Sequence, residues 1–356
     1  MLAILTEDSD GNLARTSAKK LNPPASFKRF EEQTRVEGGF MSNDAIVIAP
    51  DGASIYAAGS RDLAGKKGKA KDTREVVAFD LRGRRLERRW AFEFPSGGDS
   101  VQGMACSADG RSIFAVRARY HNDVAEALVM RFGPDDSRPL AQHRFAASPS
   151  NLAVWADGSR CAVSSHDERL FLLGEDLQPI HERKLGVRPY GLHFLAPTDL
   201  LVATPAAILR LDPETDAPPT VIDVPARHLS ADDSGTLLSV SAWSSLTDLR
   251  QPKPFPVHLL DRATLKVIKT IGVSGYQCKN GALSPDGKRI ALEGHDTASK
   301  RKYTFAFDVA SGAELGLRRS EYVHALAFLR DSRTLAIGVA EFRKGESIDL
   351  WAVPGI

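Results

Sequence analysis

Residues 281–294 decide the fold of this chain, and their sequence is Gly-Ala-Leu-Ser-Pro-Asp-Gly-Lys-Arg-Ile-Ala-Leu-Glu-Gly. The stretch predicts an apolar strand, a tight turn at Pro285-Asp286-Gly287 and a second strand over residues 289–293. Such a turn needs a residue with positive φ, which Gly287 supplies at no steric cost. The carboxylate of Asp286 is placed to accept a hydrogen bond from the backbone ahead of it. The stretch is therefore predicted to be a β-hairpin.

The same hairpin pattern recurs along the whole chain. Clear copies span residues 46–57, 104–116 and 152–163, and degenerate copies span residues 192–203, 229–240 and 326–339. Successive turns lie on average about 47 residues apart. A period of this length, with several short strands in each unit and no 3.6-residue periodicity, is typical of the blades of a β-propeller.

Each hairpin is followed by a third strand, and most are followed by a more polar fourth strand. Three of the third strands end in Phe79-Asp80, Leu260-Asp261 and Phe307-Asp308. These dipeptides are similar to the Trp-Asp of WD-repeat proteins, although the Gly-His of that family is missing. The chain thus resembles the WD-repeat and YVTN-type β-propeller superfamily at the level of the fold. The repeat and the resemblance together predict an all-β, seven-bladed propeller with four-stranded blades.

The last unit ends one strand short, after Trp351-Ala352-Val353. We expect a strand at about residues 26–35 to complete this blade, because Phe27-Lys28-Arg29-Phe30 looks like the fourth strands of other units. Closing the ring in this way removes free sheet edges. Residues 25–356 are then a single propeller domain, and residues 1–24 are either an N-terminal arm or an extra hairpin.

Composition limits the classes of partner. With 47 basic and 45 acidic residues, the formal charge of +2 gives no global attraction to nucleic acid or to a membrane surface. The three cysteines are widely spaced, which favours free thiols and a reducing compartment. The N-terminus lacks a basic region before its short apolar run, and no apolar run reaches the ~20 residues of a membrane span. We therefore expect a cytoplasmic protein without a membrane partner.

The loops on one face of the predicted ring are rich in Tyr, His and Arg, although only 7% of the residues are aromatic. Tyr, Trp and Arg carry much of the binding energy in protein interfaces. An alternative is that these side chains cap the channel and hold the blades together. The predicted binding residues are Arg188, Tyr190, His228, Trp243, Tyr276, Lys279, Tyr322 and His324.

A long insertion at residues 61–75 lies on the same predicted face. It carries a cluster of basic residues: Lys66, Lys67, Lys69, Lys71 and Arg74. A solvated lysine-rich loop explains such a cluster. The alternative is a contact with the phosphates of nucleic acid.

Signals for catalysis are weak. The nine histidines form no short-range metal motif, and the sequence predicts neither a metal site nor a cofactor. His166 and His295 occupy matching places in the third and sixth units, and with Glu341 they are weak catalytic candidates.

The sequence favours a non-enzymatic scaffold that docks a protein or peptide and serves as a subunit of a larger complex. One alternative is a lactonase-like propeller hydrolase or lyase that uses His and Glu at the channel mouth. The other is a subunit of a nucleic-acid-associated complex that uses the basic loop.

Overall fold

The computed structural model describes residues 2–7, 13–19, 31–40, 45–62, 72–83, 85–94, 100–121, 124–233, 235–240, 255–273, 276–296, 302–320, 322–341 and 345–353. At some of these positions it describes the backbone alone. The regular elements in these ranges are strands: β1 Leu2–Glu7, β2 Leu13–Lys19, β3 Glu31–Phe40, β4 Ala45–Ile48, β5 Ser54–Asp62, β6 Asp72–Arg82, β7 Arg85–Glu93, β8 Ser100–Cys106, β9 Ile113–His121, β10 Val124–Phe132, β11 Pro139–Phe145, β12 Pro149–Val154, β13 Arg160–Ser165, β14 Arg169–Gly174, β15 Pro179–Lys184, β16 Leu192–Ala196, β17 Asp199–Ala203, β18 Ile208–Leu211, β19 Thr220–Ile222, β20 His228–Ala231, β21 Thr236–Val240, β22 Phe255–Asp261, β23 Val267–Val273, β24 Tyr276–Leu283, β25 Arg289–Asp296, β26 Lys302–Asp308, β27 Glu314–Ser320, β28 Tyr322–Phe328, β29 Thr334–Glu341 and β30 Gly345–Ala352.

The hairpin turn has the predicted conformation. Gly287 has a φ of 67°, and Oδ1 of Asp286 accepts hydrogen bonds from the backbone N–H of Lys288 at 3.1 Å and from Oγ of Ser284 at 2.6 Å. In the last copy of the hairpin, Ser332 adopts the same left-handed backbone conformation, with a φ of 55°. The repeated turn is thus fixed by a local hydrogen-bond network as well as by glycine.

The strands are arranged as an all-β propeller with four-stranded blades, as predicted. Five antiparallel sheets contain four strands each: β8–β11, β12–β15, β16–β19, β20–β23 and β24–β27. The first strands of successive units lie side by side in the cyclic order β4, β8, β12, β16, β20, β24, β28 and back to β4. These strands therefore surround the central channel.

The predicted count of seven separate blades needs correction, because the described strands of the ring form six sheets. The sixth sheet has eight strands, in the order β28-β29-β30-β3-β5-β6-β7, with β4 also paired to β5. Its two halves are joined where Phe40 of β3 lies opposite Arg61 of β5. This one residue pair fuses two runs of four strands into a single sheet.

The N-terminal segment also differs from its predicted bounds. Strand β3 runs over Glu31–Phe40 instead of residues 26–35, and it pairs antiparallel with β30 from Glu31 opposite Ala352 to Phe40 opposite Glu346. The predicted Phe27–Phe30 segment lies outside the described residues. Strands β1 and β2 pair with each other in a two-stranded sheet.

The hydrophobic core lies between neighbouring sheets. In one cluster, Tyr56 and Trp90 of the first unit pack against Ile113 and Phe132 of the second, and the rings of Trp90 and Phe132 stack at 5.7 Å. Burial of apolar surface on both faces of most blades holds the ring together. Within the described ranges, no helix has the length and hydrophobicity that crossing a membrane would require.

Polar clamps add to this packing at the periphery. Arg183 of β15 is buried, and its guanidinium donates to the backbone carbonyls of Thr215 and Ala217 in the next unit, at 2.9 and 3.1 Å. Arg131 pairs with Glu175 across the preceding gap at 2.8 Å. The units are thus locked side by side, and the channel-lining strands have a rigid support.

Candidate functional site: the mouth of the central channel

Bulges recur near the start of the innermost strands. In β8, Val101 and Gly103 pair with the consecutive residues Arg117 and Val116, so Gln102 is the extra residue. The register of β12 shifts in the same way at Ser150, and that of β28 shifts at His324. A bulge turns its extra residue out of the strand alternation and can re-aim a side chain. At two of these bulges the extra residue, Gln102 or Ser150, lines the channel.

A cavity of about 590 Å³ opens at this level. Its volume lies within the range of sites that hold small ligands or short peptide segments. The lining residues come from every unit of the ring: Ala45, Ile46, Gln102, Gly103, Met104, Ser150, Asn151, His166, Arg188, Tyr190, Arg227, His228, Asn280, Gly281, Ala325 and Leu326.

One wall of the cavity is a basic and aromatic cluster built around Tyr190. The guanidinium carbon of Arg227 lies 4.7 Å from the centre of the Tyr190 ring, and that of Arg188 lies 5.3 Å from it. Arg188 also donates from Nε and Nη2 to Nδ1 of His166, at 3.1 and 2.8 Å. We call His166, Arg188, Tyr190 and Arg227 the basic wall.

His166 in this wall is held in its neutral form. Burial lowers its pKa, and the positive charges of Arg188 and Arg227 lower it further, against the opposing effect of Asp167. Because a guanidinium can only donate, Nδ1 of His166 must be the acceptor. The ring proton of the neutral imidazole is therefore on Nε2.

Hydrogen bonds position other polar residues of the lining. His228 bonds to the backbone of Gly281 on the neighbouring strand β24, while burial lowers its pKa. Oγ of Ser150 contacts Oγ of Ser164 at 2.8 Å and donates to the carbonyl of Pro189 at 3.2 Å. Nδ2 of Asn280 donates to the buried Glu293 at 2.8 Å. Much of the polar lining is thus fixed before any partner arrives.

The opposite wall is largely aliphatic. The first, second and last units of the ring contribute to it Ala45, Ile46, Met104, Ala325 and Leu326, together with the polar Gln102. The basic wall comes from the third to fifth units. The cavity is therefore polarised across the channel.

Of the predicted binding residues, Arg188, Tyr190 and His228 lie together in the cavity lining, with the weak catalytic candidate His166. Four other predicted binding residues, Tyr276, Lys279, Tyr322 and His324, lie on strands whose backbone alone is described at those positions, and so do the weak catalytic candidates His295 and Glu341. Arg74 is on β6, again with its backbone described. Trp243, Lys66, Lys67, Lys69 and Lys71 lie outside the described residues.

The predicted binding residues did not include Arg227, Gln102 or Asn280, which also line the cavity. A sequence signal exists for two of them: Gln102-Gly103 and Asn280-Gly281 match Tyr190-Gly191, with a large polar residue directly before a glycine that is followed by apolar residues. A Cβ on Gly103 would lie 3.0 Å from the backbone nitrogen of Leu152 on the neighbouring inner strand. Glycine thus permits close approach of these strands.

Comparison with known proteins bears on the fold. The β-propeller domain of Myceliophteria thermophila Cps50 (Swd1) superposes with a TM-score of 0.64 at 13% identity, over 91% of this chain and 99% of that one. U3-55K gives 0.62 at 14% identity, over 90% and 98% of the two chains. The chain has the fold of a WD40-type β-propeller. The C-terminal WD40 domain of Sif2 gives 0.58 at 12% identity, over 92% and 99% of the chains.

No protein-family model and no curated protein sequence matches the chain. The likeness of this WD40-type propeller to solved structures is therefore one of architecture. Among its described side chains, no three His, Cys, Asp or Glu residues come together as a metal-binding group.

Proposed function

We propose that this WD40-type propeller is a protein-interaction scaffold, and that it docks a peptide segment of a partner protein at the mouth of its channel. The observation that carries the proposal is the basic wall, where two guanidiniums flank the ring of Tyr190 beside an open cavity. Arg and Tyr are the residue types most often found as energetic anchors of interfaces. Propellers of this fold typically act as protein-interaction scaffolds within complexes.

Pre-organisation supports the same proposal. Arg188 is held by His166 on one side and by the Tyr190 ring on the other. Strands β14, β16 and β20, which directly follow His166, Tyr190 and Arg227, are part of a packed ring. Binding then costs little conformational entropy on the side of the scaffold.

Catalysis by His166 is less consistent with the geometry. A general base needs an unprotonated nitrogen within reach of its substrate. Nδ1 of His166 already accepts two hydrogen bonds from Arg188, so the second nitrogen carries the proton. In this arrangement His166 positions Arg188 and is not free to act as a base.

We further propose that the eight-stranded sheet works as two blades, β4–β7 and β28–β30 with β3, which would give the ring seven. The single Phe40–Arg61 pair between the halves, against the long pairing of β3 with β30, supports this. Deletion of residues 1–40 should then destabilise the fold strongly, whereas deletion of residues 1–24 should not. Equal stability of the two deletion proteins in urea would contradict it.

Affinity purification tests the docking proposal. The full chain and its Tyr190→Ala, Arg227→Ala and Arg138→Ala variants would be used as baits, each in nuclease-treated and untreated extract. We expect one stoichiometric protein partner in both extracts, lost with the first two variants and kept with Arg138→Ala, since Arg138 is exposed and away from the cavity. A partner lost on nuclease treatment would instead support the nucleic-acid alternative. A partner retained by both cavity variants would place docking on another surface.

A further inference from the structure

We infer that the occupant of the channel cavity is an acidic residue of the partner's peptide, in contact with Arg188 and Arg227 and with an aliphatic neighbour against the opposite wall. This inference rests on the proposed docking function and specifies the chemistry of the partner. It follows from the charges, the aromatic ring and the polarity of the cavity.

The ion pairing of the two guanidiniums indicates an anionic occupant. Among the described residues, neither Arg188 nor Arg227 forms an ion pair with a carboxylate. Arginines elsewhere on the ring do form such pairs: Arg131 with Glu175, Arg160 with Glu214, Arg169 with Glu182 and Arg210 with Asp199. The two guanidiniums at the channel mouth therefore keep a positive charge that no described carboxylate pairs with, whereas these other arginines are paired.

The two guanidiniums are held close to the same aromatic side chain. Both guanidinium carbons lie within 5.3 Å of the centre of the Tyr190 ring. Two like charges held near one ring repel each other, and an anion that contacts both guanidiniums relieves the repulsion. His166 occupies the Nε and Nη2 edge of Arg188, and no described residue bonds Nη1 of Arg188 or the guanidinium of Arg227, so these groups can donate to a ligand.

The lining also determines the sign of the charge on the occupant. The described residues that line the cavity include no Asp and no Glu. A lysine or arginine of a partner would therefore meet guanidiniums and neutral groups, and its charge would lose hydration without compensation. A carboxylate would gain charge-assisted hydrogen bonds.

The aliphatic wall specifies the neighbour of this acidic residue. Ile46, Met104 and Leu326 line the side of the cavity that faces the basic wall. An aliphatic side chain beside the carboxylate would bury its surface there. The recognition element is then an acidic residue adjacent to an aliphatic one in a single extended segment.

Two degenerate libraries of seven-residue peptides, one with Glu and one with Gln fixed at the centre, test this inference on the immobilised full chain. We expect the Glu library to be retained about tenfold more strongly, with aliphatic residues enriched beside the Glu. Arg227→Gln and Arg188→Gln should reduce retention of the Glu library to that of the Gln library. Arg138→Gln is the matched control, and thermal unfolding of each variant verifies that it is folded.

The outcomes separate the inference from the function on which it rests. Equal retention of the Glu and Gln libraries, with loss on Tyr190→Ala, would leave docking in place and overturn the acidic occupant. Retention of the Glu library by folded Arg227→Gln protein would overturn it as well. If the wild-type chain retains neither library, both proposals fail. A labelled single-stranded RNA that binds through Arg227 and displaces the Glu peptides would assign the site to phosphate instead.

Discussion

Arg188 donates two hydrogen bonds to Nδ1 of His166, and the two residues belong to different blades. His166 lies in the turn between β13 and β14, whereas Arg188 precedes β16. The bond therefore crosses the gap between blades at the mouth of the channel. It fixes the tautomer of the imidazole and the orientation of the guanidinium together, so that each residue determines what the other offers to a ligand.

The pKa of His166 reports this contact. Burial and the charges of Arg188 and Arg227 hold the pKa of its imidazole below the usual 6.5. Arg188→Gln removes one of these charges and opens the site to water, so we expect the pKa of His166 to rise toward 6.5. NMR titration of the imidazole measures it, with Arg138→Gln as the control. An unchanged pKa would show that the bond is absent in solution.

Gly191 tests the close approach of the inner strands. A Cβ at this position would lie 3.1 Å from the backbone nitrogen of Leu229 and 3.2 Å from the carbonyl oxygen of Arg227. Because both neighbours are backbone, Gly191→Ala should lower the free energy of unfolding by about 1–3 kcal/mol and displace Arg227. Gly133→Ala is the matched control, since its nearest neighbour is the flexible end of Leu140 at 3.7 Å. Urea unfolding and peptide retention measure the two effects, and equal behaviour of the variants would contradict the prediction.

Arg183 tests the peripheral clamp between blades. Its buried guanidinium donates to the carbonyls of Thr215 and Ala217. Arg183→Ala leaves these carbonyls without their charged donor, and we expect a loss of about 3 kcal/mol in the free energy of unfolding. Arg144→Ala, which removes an exposed pair with Glu126, should cost less than about 1 kcal/mol. Similar losses in urea unfolding for both variants would show that Arg183 is no clamp.

Glu314 is expected to make the fold less stable as the pH rises. Burial raises the pKa of its carboxyl to about 7, and its Oε1 has no hydrogen-bond partner. With a folded pKa above the unfolded value of about 4.5, the contribution of Glu314 is complete below pH 4.5 and is lost as the pH rises through 7. Glu314→Gln should remove this loss, so the variant should gain stability relative to wild type from pH 5 to pH 8. Urea midpoints across this range measure the difference, and a constant difference would refute the prediction.

His193 is expected to act in the opposite direction. Burial, with a smaller effect of Arg262, lowers the pKa of its imidazole to about 4. The unfolded chain binds the proton first, so stability present above pH 6.5 is lost as the pH falls toward 4. His193→Gln should reduce this acid sensitivity. If the urea midpoints of variant and wild type fall by the same amount between pH 7 and pH 4, the prediction is wrong.

Much of the architecture followed from local sequence. The turn at Asp286-Gly287 could be predicted because a short residue pattern encodes positive φ and a side-chain hydrogen bond. The second strand of that hairpin was predicted to begin at residue 289, and β25 begins at Arg289 for the same local reason. The strand observed as β3 was predicted about five residues too early. Weak similarity of one short sequence does not define the register of a strand, because register depends on the partner strand.

The sequence by itself determined the repeat, the strand type of each segment and the residue types available on one face of the ring. Each of these depends on neighbours within a few positions. Only the tertiary structure decided that Arg227 and Arg188 share the ring of Tyr190 and that His166 lies within hydrogen-bond distance of Arg188. The Arg227–Tyr190 and Arg188–His166 contacts join different units of the ring, and their geometry is set by the close packing of inner strands around the channel, which no local pattern specifies.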